Sequence, residues 1–319
     1  MKLKPAQVLF YTFAIVLLSF SACKDFIEPS ISKRPVTLKA PSDKYQSANY
    51  NINFWWDEVE DAISYRLQVV TPGFDTIGGL IADTLVKGNH FTLTLDPGEY
   101  QWRVKALNGS SETAFSTANN LVIVPSSLTA QTVILGSPAN NTVTNQGTVL
   151  FKWGTLFGAT SYHLQVDTNN FADLNHILAD QTIPGQQYSF RFPKDLSYQW
   201  RVRAESASEQ SKWSAINTIT FDATAPAGVA LSSPQNNEVV NKPVSLQWTK
   251  STAAANYKLY VYKDDSTTLY NNTFPVLLNA TSYNFTLGTS GERIYWQVST
   301  LDAAGNESVP SELRSFLIQ

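Results

Sequence analysis

The strongest constraint on the fold is a seven-residue segment that occurs three times. Residues 100–106 read YQWRVKA, residues 198–204 read YQWRVRA, and residues 294–300 carry the looser copy IYWQVST. In the first copy, alternation places Trp102 and Val104 on one side of an extended chain and polar residues on the other. This is the period of a strand with one buried face. Each copy therefore predicts one central β-strand.

A second pattern precedes each copy and sets the number of domains. A Trp is followed nine residues later by a Tyr in every repeat: Trp56 and Tyr65, Trp153 and Tyr162, Trp248 and Tyr257. The first Trp advances by 97 and then 95 residues from repeat to repeat. A repeat of this length corresponds to a whole domain, whereas the repeats of solenoids and propellers are shorter, about 20–50 residues. The sequence predicts an all-β chain of three tandem immunoglobulin-like β-sandwiches, with the recurring tryptophans in their cores.

Short polar joints that contain proline separate the repeats. One joint follows Pro125 and the other precedes Pro226, and neither is long enough to form a flexible spacer. We expect three domains with these ranges: 35–125, 129–224 and 226–319.

The N-terminus carries a segment typical of export. Two lysines precede an apolar run of thirteen residues, which is too short for a permanent membrane span. The segment ends in small residues before Cys23. It resembles the bacterial lipoprotein signal, which implies a signal peptide over residues 1–22, lipidation of Cys23 and a lipidated tether over residues 23–34. The alternative is an ordinary signal peptide with a coincidental cysteine.

The residue after the cysteine bears on which membrane is reached. An aspartate directly after the cysteine would resemble an inner-membrane retention signal. This chain has Lys24 there, which favours the outer membrane. The charged residues from Lys24 to Glu28 look like the segment that follows the cysteine in surface-exported lipoproteins of Bacteroidetes-type bacteria. We therefore expect lipid anchoring in the outer membrane, at the cell surface.

The repeats also resemble the fibronectin type III family. The pattern Leu-x-Pro-Gly-x-Tyr-x-x-Arg-Val-x-Ala runs from Leu95 to Ala106, beside the Trp and Tyr of the neighbouring strands. The resemblance covers nearly the whole chain after residue 34. It implies tyrosine corners at Tyr100 and Tyr198, whose hydroxyls bond to the chain just upstream. Repeat three has Ile294 there and loses that bond.

Charge and cysteine content exclude several classes of protein. Only 15% of the residues are charged and the formal net charge is −3, so there is no basic face for nucleic acid. Cys23 is the single cysteine, so no intramolecular disulfide can form and each sandwich depends on core packing. No cofactor motif or metal-spaced cluster is present, and we predict neither a cofactor nor a metal.

Two tryptophans lie outside the repeated core positions. Trp55 precedes a core Trp and must point outward, which makes it the candidate contact for a sugar or a partner. Trp213 precedes a serine and follows the strand that bears Arg201 and Arg203. This looks like half of the Trp-Ser motif of cytokine-receptor sandwiches, and it implies a structural cation–π stack with those two arginines.

Modification and metal sites were also weighed. Thr76, Thr84 and Ser266 each follow an aspartate in segments that resemble the acceptors for O-glycosylation in Bacteroidetes-type bacteria. The acidic loop over residues 57–61 offers oxygen ligands for calcium, but its counterparts in the other repeats lack them. We favour a solvated acidic turn there.

No arrangement of residues suggests catalysis, so we expect no enzyme. The favoured function is a non-catalytic outer-membrane or surface lipoprotein that binds a protein partner as an adhesion or scaffold module. The alternative is a carbohydrate-binding accessory lipoprotein of a polysaccharide-uptake system, whose ligand is a glycan. A pure spacer without a ligand remains as a third option.

Overall fold

A computed structural model describes residues 28–319 of the chain. The predicted signal peptide, Cys23 and the first part of the tether lie outside these residues. Two compact units are present, one ending at Pro125 and one beginning at Ser126, and each is described by itself. The first holds one sandwich and the second holds two, so the prediction of an all-β chain of three tandem sandwiches is confirmed.

The first sandwich has eight strands: β1 (Leu38–Ala40), β2 (Tyr45–Ser47), β3 (Asn51–Trp56), β4 (Ser64–Pro72), β5 (Ile77–Val86), β6 (His90–Thr94), β7 (Gly98–Leu107) and β8 (Asn119–Ile123). They form a three-stranded sheet of order β1-β3-β6 and a five-stranded sheet of order β2-β8-β7-β4-β5. The strand predicted from residues 100–106 is β7, near the centre of the larger sheet.

The second sandwich repeats this plan: β9 (Leu135–Ser137), β10 (Thr142–Thr144), β11 (Thr148–Trp153), β12 (Ser161–Asp167), β13 (Ala179–Ile183), β14 (Gln187–Arg191), β15 (Leu196–Glu205) and β16 (Asn217–Phe221). Its sheets have the orders β9-β11-β14 and β10-β16-β15-β12-β13. Two short 3-10 turns, Leu128–Ala130 and Leu174–His176, lie in its connections.

The third sandwich follows the same order: β17 (Leu231–Ser233), β18 (Glu238–Val240), β19 (Val244–Trp248), β20 (Asn256–Tyr262), β21 (Val276–Leu278), β22 (Ser282–Phe285), β23 (Arg293–Leu301) and β24 (Arg314–Ile318). Its sheets are β17-β19-β22 and β18-β24-β23-β20-β21. The strands of all three sandwiches lie inside the predicted domain ranges, whose exact ends stay predictions.

The first segment of each sandwich contributes to both sheets. In the first sandwich, β1 pairs antiparallel with β3, and β2 then pairs parallel with β8. Pro41 lies between the two strands, and Pro138 and Pro234 occupy the same place in the other sandwiches. Proline has no N–H to continue an antiparallel ladder, so the chain leaves the first sheet there.

The nine-residue spacing between Trp and Tyr has a structural cause. The rings of Trp56 and Tyr65 lie 5.5 Å apart between the sheets, and the Val59 N–H in the intervening turn donates to the Tyr65 hydroxyl at 2.8 Å. Tyr162 and Tyr257 accept the equivalent bonds from Leu156 and Ser251 at 2.9 and 3.0 Å. One tyrosine therefore fills the core and fixes the turn.

The six recurring tryptophans are buried, and none of their indole Nε1 atoms has a hydrogen-bond partner within the described residues. Leaving such a group unpaired costs about 1–3 kcal/mol. Burying about 150–250 Å² of a large aromatic side chain contributes about 4–6 kcal/mol. Burial therefore outweighs the lost hydrogen bond, and the net gain explains why tryptophan is tolerated at these positions.

A pair of hydroxyl side chains fixes the chain before the last strand of each sandwich. In the second sandwich, the Ala204 N–H donates to Ser211 Oγ at 2.9 Å and the Val202 N–H donates to Ser214 Oγ at 3.1 Å. The equivalent acceptors are Thr113 and Ser116 in the first sandwich and Ser308 and Ser311 in the third. These side chains replace the backbone partners that the last strand would supply if it continued along the central strand.

Candidate functional site

Trp55 lies on the outward face of the three-stranded sheet of the first sandwich. Its strand β3 is the central one, and Trp55 pairs with Ala40 on β1 and with His90 on β6. The side chain is 51% exposed, whereas Trp56 beside it is buried. Because Ala40 is small, the indole has little to cover it on that side.

Neutral polar side chains continue this face along the same two strands. Asn53 and Asn51 precede Trp55 by two and four residues on β3, and they pair with Thr92 and Thr94 on β6. The Thr92 hydroxyl donates to the Asn53 amide oxygen, and the Thr94 hydroxyl donates to that of Asn51 at 2.8 Å. The threonines therefore hold the two amides in fixed orientations.

Two adjoining cavities that share Ala40 and Asn53 open on this face, and together they are called the groove. One part, with a volume of about 480 Å³, is lined by Trp55, Ala40, Asn53, Asn89 and His90. A second part, of about 420 Å³, shares Ala40 and Asn53 and reaches Tyr45 on β2, which is 42% exposed. The groove thus has an exposed aromatic ring toward each end and amides between them.

The other two sandwiches lack both rings at the matching positions. The position of Trp55 is held by Lys152 in the second sandwich and by Gln247 in the third, and that of Tyr45 by Thr142 and Glu238. The aromatic groove is therefore a property of the first sandwich and not of the repeated scaffold.

The edge strand β5 is the second distinctive surface of the first sandwich. It is ten residues long, whereas its counterparts β13 and β21 have five and three. Its large apolar side chains are exposed, and Leu85 reaches 66%. Asp83 pairs with Arg66 at 2.6 Å, and this hydrogen bond lowers the pKa of the carboxyl below its ordinary value. No charge on β5 is left unpaired to repel an approaching strand.

The predicted partners of Trp213 lie around its ring. The guanidinium carbons of Arg201 and Arg203 lie 4.4 and 4.7 Å from the ring centroid. Arg201 also packs against Phe171 at 4.0 Å, which the sequence analysis missed. Burial lowers the pKa of Arg201, and the charge of Arg203 adds to the effect. The stack anchors two loops to β15, so its geometry is that of a structural element.

The first sandwich has a similar stack that the sequence analysis did not identify. Arg103 lies 4.0 Å from the ring of Phe74 and 4.2 Å from that of Phe115. Phe115 precedes Ser116 just as Trp213 precedes Ser214. The available clue was an aromatic residue before the second hydroxyl of the pair in both the first and the second sandwich.

The third sandwich has Pro310 at this position and uses a polar cluster instead. Glu307 accepts hydrogen bonds from the hydroxyls of Ser299 and Tyr260, both at 2.6 Å, and from Lys258 at 3.0 Å. Burial alone would raise the pKa of Glu307, but these three bonds outweigh burial and the pKa lies below its ordinary value. The hydrogen bonds to Tyr260 and Glu307 raise the pKa of Lys258.

The two residues predicted to form tyrosine corners each hydrogen-bond to a backbone carbonyl four residues earlier in the chain. The Tyr100 hydroxyl donates to the Asp96 carbonyl oxygen at 2.8 Å, and the Tyr198 hydroxyl donates to that of Lys194 at 2.6 Å. Burial raises the pKa of both phenols. Ile294 at the matching position is buried in the core of the third sandwich.

The three candidate glycosylation sites differ in exposure. Thr76 is exposed in the turn before β5. Thr84 pairs with the buried Leu67 and points to the core side of its sheet, half-buried. Ser266 lies in a turn where the Asp265 carboxylate accepts bonds from Thr268 and Thr267, which lower the pKa of Asp265 to about 2. Glycosylation at these residues stays a prediction.

The acidic loop of the first sandwich forms ion pairs. Arg34 contacts Asp61 at 2.8 Å and Glu60 at 3.4 Å, and Lys39 contacts Asp57 at 2.9 Å. Among the described residues, no cluster of three or more His, Cys, Asp or Glu side chains is arranged to hold a metal ion. Within residues 28–319, no helix has the length and apolar character needed to cross a membrane.

These features define a protein of three tandem immunoglobulin-like sandwiches, each built from a three-stranded and a five-stranded sheet. No protein-family model matches the sequence, and no curated protein matches it. Among solved structures, the crystal structure of the FN1–FN3 domains of chicken CNTN1 is similar, with a TM-score of 0.41 and 14% identity. The similarity covers 89% of this chain and 97% of that chain.

Proposed function

We propose that this chain is a non-catalytic lipoprotein, anchored through Cys23 in the outer membrane at the cell surface, that binds a protein partner by strand addition. The observation that carries the proposal is the edge strand β5. A scaffold of this type holds recognition surfaces at a fixed place, and edge strands are one of the surfaces through which such scaffolds bind.

The exposed apolar side chains of β5 favour binding over solvation. Sheet proteins normally protect an edge with lysine, proline or a very short strand. β13 and β21 are short, but β5 is long and exposes Ile77, Leu80, Ile81 and Leu85. The pairing between β4 and β5 is irregular along Val69–Pro72 of β4, where the register shifts twice. From Ala82 to Val86, β5 pairs with β4 in regular register. This regular part is the best template for a further strand.

The chemistry of the edge indicates the partner. With Asp83 neutralised by Arg66, the rim of β5 offers backbone hydrogen-bonding groups and apolar side chains. An extended, uncharged segment with apolar residues at alternate positions would extend the sheet and cover Leu85. We therefore expect an outer-membrane or surface protein that presents such a segment.

The test is co-purification of the tagged full-length protein from cross-linked membranes of its native host. Leu85→Lys places a charge on the exposed face of β5. Thr182→Lys is the matched control, because Thr182 on the shorter edge strand β13 pairs with His163 as Leu85 pairs with Arg66. A stoichiometric partner that is lost in Leu85→Lys and retained in Thr182→Lys supports the proposal.

Two outcomes would overturn strand addition at β5. One is capture that is insensitive to both lysine variants. The other is capture of a second copy of this chain alone, which sedimentation of the purified protein would show as a dimer that Leu85→Lys converts to monomer. A Cys23→Ala variant separately tests anchoring, because it should leave the membrane fraction if the cysteine is lipidated.

A further inference from the structure

The groove between Trp55 and Tyr45 has a chemistry that the proposed protein contact does not use. It belongs to the β1-β3-β6 side of the first sandwich, while β5 is the edge of the other sheet. Both rings are about half exposed, although aromatic side chains of this size are usually buried. Two exposed rings at one groove, absent from the other sandwiches, call for an explanation beyond the scaffold.

The residues between the rings are suited to hydroxyl groups. Asn53 keeps its amide oxygen on Thr92, so the orientation of the amide is fixed, and its nitrogen makes no hydrogen bond among the described residues. His90 adds a ring nitrogen at the Trp55 end of the groove, where its nearest polar contact is Asn89 at 3.5 Å. Fixed neutral donors beside an aromatic surface confer orientation and specificity on a bound ligand.

The charge of the groove selects among ligands. Among the described residues that line it, Lys39 is the only charged one, and its ammonium lies 2.9 Å from the Asp57 carboxylate. An acidic ligand would meet no unpaired cation, and a basic ligand would meet no unpaired anion. The groove therefore fits an uncharged ligand.

We propose that this groove binds a neutral oligosaccharide or polysaccharide. The apolar C–H face of one sugar ring stacks on Trp55, a second sugar lies toward Tyr45, and the amide nitrogen of Asn53 donates to a hydroxyl group between them. The face from Asn51 to Trp55 is about 13 Å long, at about 3.3 Å per strand residue, so the site is longer than a single sugar. It is extended and open, which favours a chain over a monosaccharide.

The test is native affinity electrophoresis of the full-length protein in a non-ionic detergent. Gels contain one polysaccharide each: xylan, amylopectin, glucomannan, galactan and mixed-linkage β-glucan as neutral probes, and polygalacturonate and heparin as acidic ones. We expect retardation by at least one neutral probe. Trp55→Ala should weaken it about tenfold or more, and Tyr45→Ala should weaken it by a smaller factor.

Control variants separate this site from the rest of the molecule. Lys152→Ala changes the position in the second sandwich that matches Trp55 and should leave retardation unchanged. Leu85→Lys should also leave it unchanged, so failure of strand addition and failure of glycan binding are distinguishable. Trp55 is exposed, and an unchanged thermal unfolding profile shows that Trp55→Ala remains folded.

Three outcomes would overturn the proposal. They are no retardation by any neutral probe, retardation by acidic probes alone, and retardation by a neutral probe that persists unchanged in Trp55→Ala. A fourth, loss of binding only in Leu85→Lys, would place the ligand at β5 and count equally against the groove.

Discussion

The second and third sandwiches hold the same loop against the same strand with different chemistry. In the second, Trp213 stacks with Arg201 and Arg203. In the third, Glu307 binds Ser299, Tyr260 and Lys258 in a hydrogen-bonded cluster. The backbone hydrogen bonds that hold the loop are nevertheless the same: Ser211 and Ser214 donate to Ala204 and Val202, and Ser308 and Ser311 donate to Thr300 and Val298. The backbone framework is therefore repeated, while the side-chain layer that covers it is free to change.

This comparison separates what the fold requires from what each domain adds. The required part is the pair of hydroxyl groups that accept hydrogen bonds from the central strand. The added part is either a cation–π stack or an ion-paired cluster. The two additions depend differently on pH and salt, because a cation–π stack with arginine does not titrate near neutrality and a carboxylate cluster does below it.

The largest expected effect comes from the shared hydroxyl pair. Ser214→Ala leaves the buried Val202 N–H without its side-chain acceptor and should cost about 2 kcal/mol. Ser311→Ala should cost about 1 kcal/mol, because this serine is half-exposed and water can replace part of the bond. Hydrogen exchange of peptides from β15 and β23 measures each opening free energy. Equal exchange in variant and wild type would show that the hydroxyls are dispensable.

Glu307→Gln removes the charge from the cluster of the third sandwich. We expect a loss of about 1–2 kcal/mol near neutral pH, discounted for the partial exposure of this carboxylate. The readout is hydrogen exchange of β20 and β23 peptides. Peptides of β15 in the second sandwich serve as the internal control and should not change.

The pH dependence of this effect has a definite sign. The pKa of Glu307 in the folded protein is below its ordinary value of 4.5, so the stabilisation is fully present above about pH 4.5. It is lost as the pH falls through the folded-state pKa. Wild type and Glu307→Gln should therefore converge in acid, and a difference that persists unchanged at pH 2 would contradict the charge-based account.

A tyrosine corner is present in the second sandwich and replaced in the third, which gives a smaller test. Tyr198→Phe removes the bond to the Lys194 carbonyl and should cost about 1 kcal/mol. Tyr100→Phe should have a similar effect in the first sandwich. Opening of β15 measured by hydrogen exchange would show the loss, and no change would mean that packing alone fixes this bend, as it does at Ile294.

The smallest effect is expected from the cation–π stack itself. Trp213→Leu keeps an apolar side chain at the site and should cost about 1 kcal/mol or less. Thermal unfolding of variant and wild type at neutral pH measures this cost. A loss of several kcal/mol would show that the ring does more than stack on the two arginines.

The sequence was sufficient for those parts of the molecule that repeat at fixed intervals. The Trp-Tyr pairs and the three copies of the central strand predicted the sandwiches, since period and alternation are properties of the chain itself. Trp213 does not repeat, and it was linked to its arginines by a different signal, the likeness of Trp213 and Ser214 to half of a Trp-Ser motif. The residues that complete the stacks, Phe74 and Phe171, lie in variable loops where no spacing relates them to the arginines.

The polar cluster and the groove depend on which strands become neighbours. Glu307 meets Lys258 because β20 pairs with β23, a contact between residues 49 positions apart. Tyr45 and Trp55 line one groove because the first segment of the domain leaves one sheet for the other at Pro41. Trp55 could be identified from its position beside a core Trp, but Tyr45 could not, since its exposure follows from tertiary structure.

The distribution of tryptophans makes the protein its own optical reporter. Six indoles are buried and have no hydrogen-bond partner between residues 28 and 319, so they should emit at short wavelengths and be shielded from dissolved iodide. Trp213 is half-buried under arginines, which leaves Trp55 as the ring most open to a quencher. The most quenchable part of the emission therefore reports on the groove, and a bound molecule that covers Trp55 should make most of the emission resistant to iodide.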